Sequence, residues 1–197
     1  MRFTRDRNDV RPFEPGIASL PHLGTGREYA PNATQNMRAR ATEWAKSRGL
    51  PIVDSVVMVE AEGVTARVPL LTMAPGTALV RATALVPLAV TISLEPKSWM
   101  QRLRSRLGDA QLVMGDAAFD DQWQVETSDV DLARRLLDDE RRRTLLDLPC
   151  WCRVAYRDGD IDVLLDAADM AGTHLLAGVE VAVHFASARL PTGAAYR

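Results

Sequence analysis

The chain reads as an α+β protein: an antiparallel sheet built from a meander and a C-terminal hairpin, with helices packed on one face. Three observations predict this. Apolar residues recur at every second position in the first half, most clearly in Leu88, Val90, Ile92 and Leu94 set against Ala89, Thr91, Ser93 and Glu95. They recur at every third or fourth position near the two ends, in Met37, Ala41, Trp44 and Ala45 and again in Leu175, Val179, Ala182 and Ala186. The connections between the strand-like runs are short, which suits antiparallel neighbours and leaves no room for parallel crossovers.

Composition sets the outer limits. The chain has 197 residues, 47% apolar and 25% charged, which suits one domain, or one domain with an arm. A net charge of -2 lacks the concentrated excess of Lys and Arg that phosphate backbones demand, so a nucleic-acid partner is not expected. Lys46 and Lys97 are the only lysines among many arginines, and with the abundance of Ala this suggests a GC-rich bacterial genome. Cys150 and Cys152 flank Trp151; on a strand both thiols would share one face, and such neighbours rarely close a disulfide. The start, MRFTRDRNDV, has no apolar core of a secretion signal. The longest candidate for a membrane span, Ala78 to Leu94, is broken by Arg81 and Pro87. A cytoplasmic protein with no transmembrane segment is expected.

In chain order, residues 1–36 read as an extended arm, rich in Pro and Gly and without period, yet carrying Phe13, Ile17, Leu20, Leu23 and Tyr29. The domain proper is expected over 37–190, with 191–197 as a tail. Residues 34–48 have helical spacing, with Thr34 or Asn36 to cap and Gly49 to stop. Ile52 to Val59 is a β-branched strand, Glu60 to Gly63 a turn, and Val64, Ala66, Val68 and Leu70 alternate with Thr65, Arg67 and Pro69. Pro75-Gly76 suits a type II turn, Leu79 to Val86 a strand, and Pro87 an edge or bend. Lys97 to Leu107 reads as a short basic helix. Gly115 to Val125 reads as a tight turn running into a strand, and Ser128 with Asp131 as the start of a helix lined by Leu132, Leu136 and Leu137. The charged run Asp138 to Arg143 leads a second helical stretch that ends near Leu148-Pro149. Asp158-Gly159 between two apolar runs signals a hairpin, and a last helix is expected from about Gly172 to Leu190.

The second half carries a Gly-Asp-x-x-Phe-Asp turn, a strand, Leu-rich helices, a hairpin and a C-terminal helix. Gly115, Asp116, Phe119, Asp120, Val125, Leu136, Leu137, Leu145, Leu146 and Gly159 occupy the pattern. Over about residues 108–190 this resembles an uncharacterised bacterial domain family. The resemblance implies the architecture and assigns no catalytic residue; many relatives also carry transmembrane segments, which this chain lacks.

Several groups bear on chemistry. Asp116, Asp120 and Asp121 could offer oxygens to a hard cation, but Asp116 capping its own turn is the plainer account. Cys150, Cys152, His174 and His184 do not have the spacing of a zinc finger or ribbon. Glu180, His184 and Ser187 fall on one helical face, with no strained nucleophile turn beside them. Gly24-Thr25-Gly26-Arg27 follows no strand, so it is a poor phosphate cradle. Arg141, Arg142 and Arg143 follow three acids and read as an ion-paired, solvated surface, whereas Arg102, Arg104 and Arg106 are less compensated. The candidate binding residues are therefore Arg102, Arg104, Arg106, Asp116 and Asp120, with no catalytic residue, metal or cofactor expected.

The function expected from these residues is a non-enzymatic binding or assembly module that contacts a protein partner, or a second copy, through the arm. The alternatives are a carboxylate- or metal-dependent hydrolase around Asp116 and Asp120, and a small-ligand sensor.

Overall fold

The computed structural model describes residues 33–72, 77–98, 112–148, 151–166 and 172–189. Pro75-Gly76, Gly24 to Arg27, Cys150, Leu190 and the body of the expected basic helix, with Arg102, Arg104 and Arg106, lie outside the described residues.

The first helix, α1, runs over Ala33–Ser47, so the last four residues assigned to the arm are helical. Met37, Ala41, Trp44 and Ala45 are buried, and Gly49 turns away from the helix at a φ of 65°. Next come β1 (Ile52–Val53), β2 (Val56–Ala61) and β3 (Val64–Pro69), a 3₁₀ turn at Leu70–Thr72, and β4 (Thr77–Thr83). Then follow β5 (Thr91–Pro96), α2 (Ala117–Gln122), β6 (Trp123–Thr127), α3 (Val130–Leu136) and α4 (Asp139–Leu146). The hairpin β7 (Trp151–Arg157) and β8 (Asp160–Asp166) and the helix α5 (Gly172–Ala186) complete the described fold.

All eight strands form one antiparallel sheet in the order β1-β2-β3-β4-β8-β7-β5-β6. The C-terminal hairpin is inserted between β4 and β5, which are consecutive in the chain and separated in space. Three hairpins close with two-residue turns whose central residues both have positive φ: Asp54-Ser55, Glu62-Gly63 and Asp158-Gly159. That geometry matches the right-handed twist of the strands it joins. At Gly159 a side chain is excluded twice, because φ is 101° and a Cβ would lie 2.7 Å from Pro87 Cβ.

One face of the sheet is dry. Val57, Ala66, Val68, Ala78, Val80, Ile161, Val163, Cys152, Val154, Ile92 and Leu94 are buried there. The apolar side of α5 packs on β8, β4 and β3 through Leu175, Val179 and Ala182. It packs closely because residue 178 is glycine: a Cβ there would fall 2.7 Å from Leu165 Cδ1. Helix α4 packs against α5 and α2, and α1 against α5, so these four helices are joined through α4 and α5. The expected core residues Leu132, Leu136, Val179, Ala182, Val90, Ile92 and Leu94 are buried, and Leu88 is partly so.

Four expectations need correction. Ile52 to Val59 is broken by the Asp54-Ser55 turn, and Ser55 accepts a φ of 63° without being glycine. The strand expected to reach Val86 ends at Thr83, leaving Leu85 and Val86 exposed while the Leu85 N–H donates to Ala186 O. Residues 117–122 are helical where a turn running into a strand was expected, and the strand itself begins at Trp123. Asp129, not Ser128, caps α3 by accepting from the Leu132 N–H at 3.0 Å; the Ser128 hydroxyl instead accepts from the Thr91 N–H and fastens the chain to β5.

Candidate functional site

In the Gly115–Gln122 turn, carboxylate side chains are bonded directly to the backbone. Asp116 is the N-cap of α2, and its Oδ1 accepts from the N–H groups of Ala118 (3.0 Å) and Phe119 (3.2 Å). These are amide donors that a helix start leaves without internal partners. Asp120 lies a turn further on and reaches back: Oδ1 accepts from the Met114 N–H at 2.8 Å and Oδ2 from the Gly115 N–H at 3.0 Å. The two carboxylates of the Gly-Asp-x-x-Phe-Asp pattern thus serve the backbone on both sides of one turn. Gly115 sits at a φ of 90°, which explains the glycine, and Phe119 is fully buried and stacked on Trp123 with centroids 6.1 Å apart.

Neighbours lock this turn in place. The Lys97 ammonium, only 4% exposed, donates to Asp120 O at 2.5 Å, and the Lys97 N–H donates to Gln122 O. Burial pushes the Lys97 amine below its usual range, while the charges of Asp120 and Asp121 pull the other way. Arg142 on α4 donates from Nη1 to Met114 O at 2.9 Å and from Nη2 to Asp139, with Nε 3.9 Å from Asp116 Oδ2. Lys97, expected at the head of an exposed basic helix, is therefore an internal fastening. Arg141 and Arg142 also depart from the solvated surface expected of them. Arg141 is nearly buried and donates to His184 O at 3.0 Å and to Asp138.

The other singled-out groups separate. His184 Nε2 lies 3.3 Å from Glu140 Oε1 and Nδ1 lies 3.2 Å from Thr144 Oγ1, so its carboxylate neighbour comes from α4 while Glu180 stays exposed. Ser187 turns back on its own helix toward His184 O. Cys152 is buried in the sheet core. Among the described residues no group of three or more His, Cys, Asp and Glu side chains is arranged to hold a metal ion.

A second region emerges only from the strand register. The sheet face opposite the described helices carries side chains in rows across the strands. Arg67 on β3 stands directly opposite Arg81 on β4, and Arg81 opposite Asp162 on β8. Beside that row Thr83 faces Asp160; on the other side Leu79 faces Leu164, which faces Arg153. The β3–β4 ladder has this one bridged pair, against seven between β4 and β8. A cleft of about 290 Å³ lies there, lined by Thr65, Arg67, Arg81, Ala82, Thr83, Asp160, Ile161 and Asp162. Arg81 Nε donates to Asp162 Oδ1 at 3.1 Å, and the Thr83 hydroxyl is 3.4 Å from Asp160. The alternation sets Thr65, Arg67 and Pro69 opposite Val64, Ala66 and Val68, but pairing Arg67 with Arg81 requires the register, which no local pattern carries.

Fold and site together define an α+β protein whose antiparallel sheet, among the described residues, carries helices on one face, with an acidic turn bonded to its own backbone. No family model and no curated protein matches the chain. Among solved structures it is similar to the mycobacterial trehalose monomycolate transport factor A, TtfA, with a TM-score of 0.54 at 15% identity. The likeness covers 77% of this chain and 93% of that one, and it extends to the fold alone. Among the described residues no helix is long and apolar enough to cross a membrane.

Proposed function

We propose that the protein is a non-enzymatic binding or assembly module that works by contact with a protein partner or a second copy, in the cytoplasm of a bacterium. The observation that carries this reading is the open sheet face. An eight-stranded sheet buries one side under helices and leaves the other lined by Arg67, Arg81 and Arg153 beside Leu79 and Leu164. Leu164 is 38% exposed in the middle of that face. The use of the Asp116 and Asp120 carboxylates as acceptors for the backbone of their own turn supports the same reading.

The arm is the expected contact element, and the helix start at Ala33 sets where to remove it. Light scattering should show a larger mass, or a captured partner on size exclusion, for the full chain and a smaller one for a chain lacking residues 1–32. A full-length protein that stays monomeric at high concentration, and recovers no partner by cross-linking in its native host, would overturn the reading.

A further inference from the structure

The arginine pair on the open face is costly as it stands. Like charges placed directly opposite on neighbouring strands repel. Arg81 is relieved on one flank by Asp162, both side chains being about half exposed. The Arg67 side chain makes no ion pair or hydrogen bond among the described residues, and neither does that of Arg153. The two acids that line the cleft are engaged elsewhere: Asp162 holds Arg81, and Asp160 faces the Thr83 hydroxyl, while Glu60 on β2 stands opposite Thr65 and forms no ion pair with Arg67 among the described residues. The hydroxyl-bearing Thr65 and Thr83 stand on the same side of the same two strands.

We propose that Arg67 and Arg81 form a clamp for the carboxylate of an Asp or Glu on a partner protein, held in an extended segment that lies along β3 and β4. This deepens the module reading and rests on it. A guanidinium fork matches a carboxylate through two parallel hydrogen bonds, and a carboxylate between the two arginines converts their repulsion into attraction. The cleft, at about 290 Å³, is at the lower limit of small-molecule sites and sits on an open face. It therefore takes one functional group of a larger body. The surroundings specify the rest of that body. Leu79 lies two residues from Arg81 along β4, about 7 Å away, and pairs with exposed Leu164. A strand-like segment with an acidic residue and an apolar residue two positions apart sets its carboxylate between the arginines and its apolar side chain on the leucines.

The test uses the full chain and a synthetic peptide in which Glu and Leu stand two residues apart with Ser between. Binding is followed on the arginine Nε–Hε NMR signals. The Glu peptide should move the Arg67 and Arg81 signals to saturation. Its Gln counterpart, and the Arg67→Gln and Arg67→Lys proteins, should bind about tenfold more weakly, because a charge-assisted bidentate contact is lost. Asp162→Asn should tighten binding by freeing Arg81. Equal binding of the Gln peptide, or no loss in Arg67→Gln with unchanged circular dichroism, overturns the clamp. So does saturation by inorganic phosphate as tightly as by the peptide, which would make this a free-anion site, or binding to phosphatidylglycerol vesicles in place of the peptide. If a native partner is held equally by the wild type and by Arg67→Gln, the clamp fails while the module reading stands.

Discussion

Arg142 and Arg67 are both arginines set among carboxylates, and their circumstances are opposite. Arg142 is almost enclosed: Nη1 and Nη2 donate to Met114 O and Asp139, and the buried Nε, with no hydrogen-bond partner among the described residues, lies 3.9 Å from Asp116 Oδ2. Arg67 stands exposed, faces another arginine, and has no acid of its own. The difference lies in what each region uses charge for. Around Gly115–Gln122, charge substitutes for secondary structure: acids take up amides that no helix or strand satisfies, and cations take up carbonyls. On the opposite face Arg67 and Arg81 take up no backbone carbonyl among the described residues, so their side chains are left to act outward. The first region should respond to mutation through stability, and the second through binding.

The largest expected effect lies beneath the acidic turn. Phe119 is fully enclosed and stacked at 11° to Trp123, so Phe119→Ala should cost about 3–5 kcal/mol in urea denaturation. A loss under 1 kcal/mol would mean that the turn is not anchored by this ring, and the contrast between the regions would weaken. Asp120→Ala comes next. It leaves the Met114 and Gly115 N–H groups without their acceptor, and should cost about 1–3 kcal/mol. If Asp120→Ala instead leaves stability intact while abolishing partner binding, the carboxylate acts outward and the assignment of roles is reversed.

How much of this was legible beforehand follows from where the information resides. The alternation at Ile92 and Leu94 and the stripe at Leu175, Val179 and Ala182 are local; the helix formed as the spacing predicts, and the strand formed over Thr91–Pro96 with Leu88 and Val90 ahead of it. Asp158-Gly159 was readable because glycine at a left-handed position leaves a mark in the sequence. Asp54-Ser55 left none, since Ser carries no such mark and the flanking valines and isoleucine suggest one unbroken strand. Helix α2 was missed because six residues, AAFDDQ, are too few to show a period, and its stability comes from the Asp116 cap and Phe119 burial. The capping role of Asp116 was legible from residue type; the backward reach of Asp120 to Met114 was not, because it depends on the helix being there. The Arg67–Arg81 pair is the extreme case, joining residues fourteen apart through a ladder with one bridge.

A pH experiment separates buried wiring from surface charge by a different route. Tyr156 is buried in β7, and its hydroxyl oxygen accepts from the Leu88 N–H at 2.9 Å. Burial raises its pKa above the usual 10.0, the Leu88 hydrogen bond opposes this, and Asp158 adds to it. The folded state thus keeps a proton that the unfolded state gives up, and stability falls as pH rises above about 10. Lys97 acts in the reverse sense: with its pKa lowered in the folded state, the cost of burying its charge is relieved as pH climbs toward 10.5. Tyr156→Phe isolates the first effect. It should cost about 1–3 kcal/mol near neutrality by orphaning the Leu88 amide, and its deficit against the wild type should shrink above pH 10. A deficit that grows with alkalinity would contradict the assigned direction.

The smallest effect is the most informative about the open face. Arg67→Gln removes an exposed side chain with no ion pair among the described residues, and it relieves the repulsion with Arg81. The protein should be unchanged in stability or slightly firmer, within about 0.5 kcal/mol, as measured by the urea midpoint at low salt. Added salt should erase the gain, because screening weakens the repulsion between exposed charges in the parent protein. A marked loss instead would show that Arg67 holds the β3–β4 junction together, and the two regions would then use their arginines in the same way. A neutral or positive result means that the fold does not require Arg67, which leaves its side chain to the contact proposed for this face.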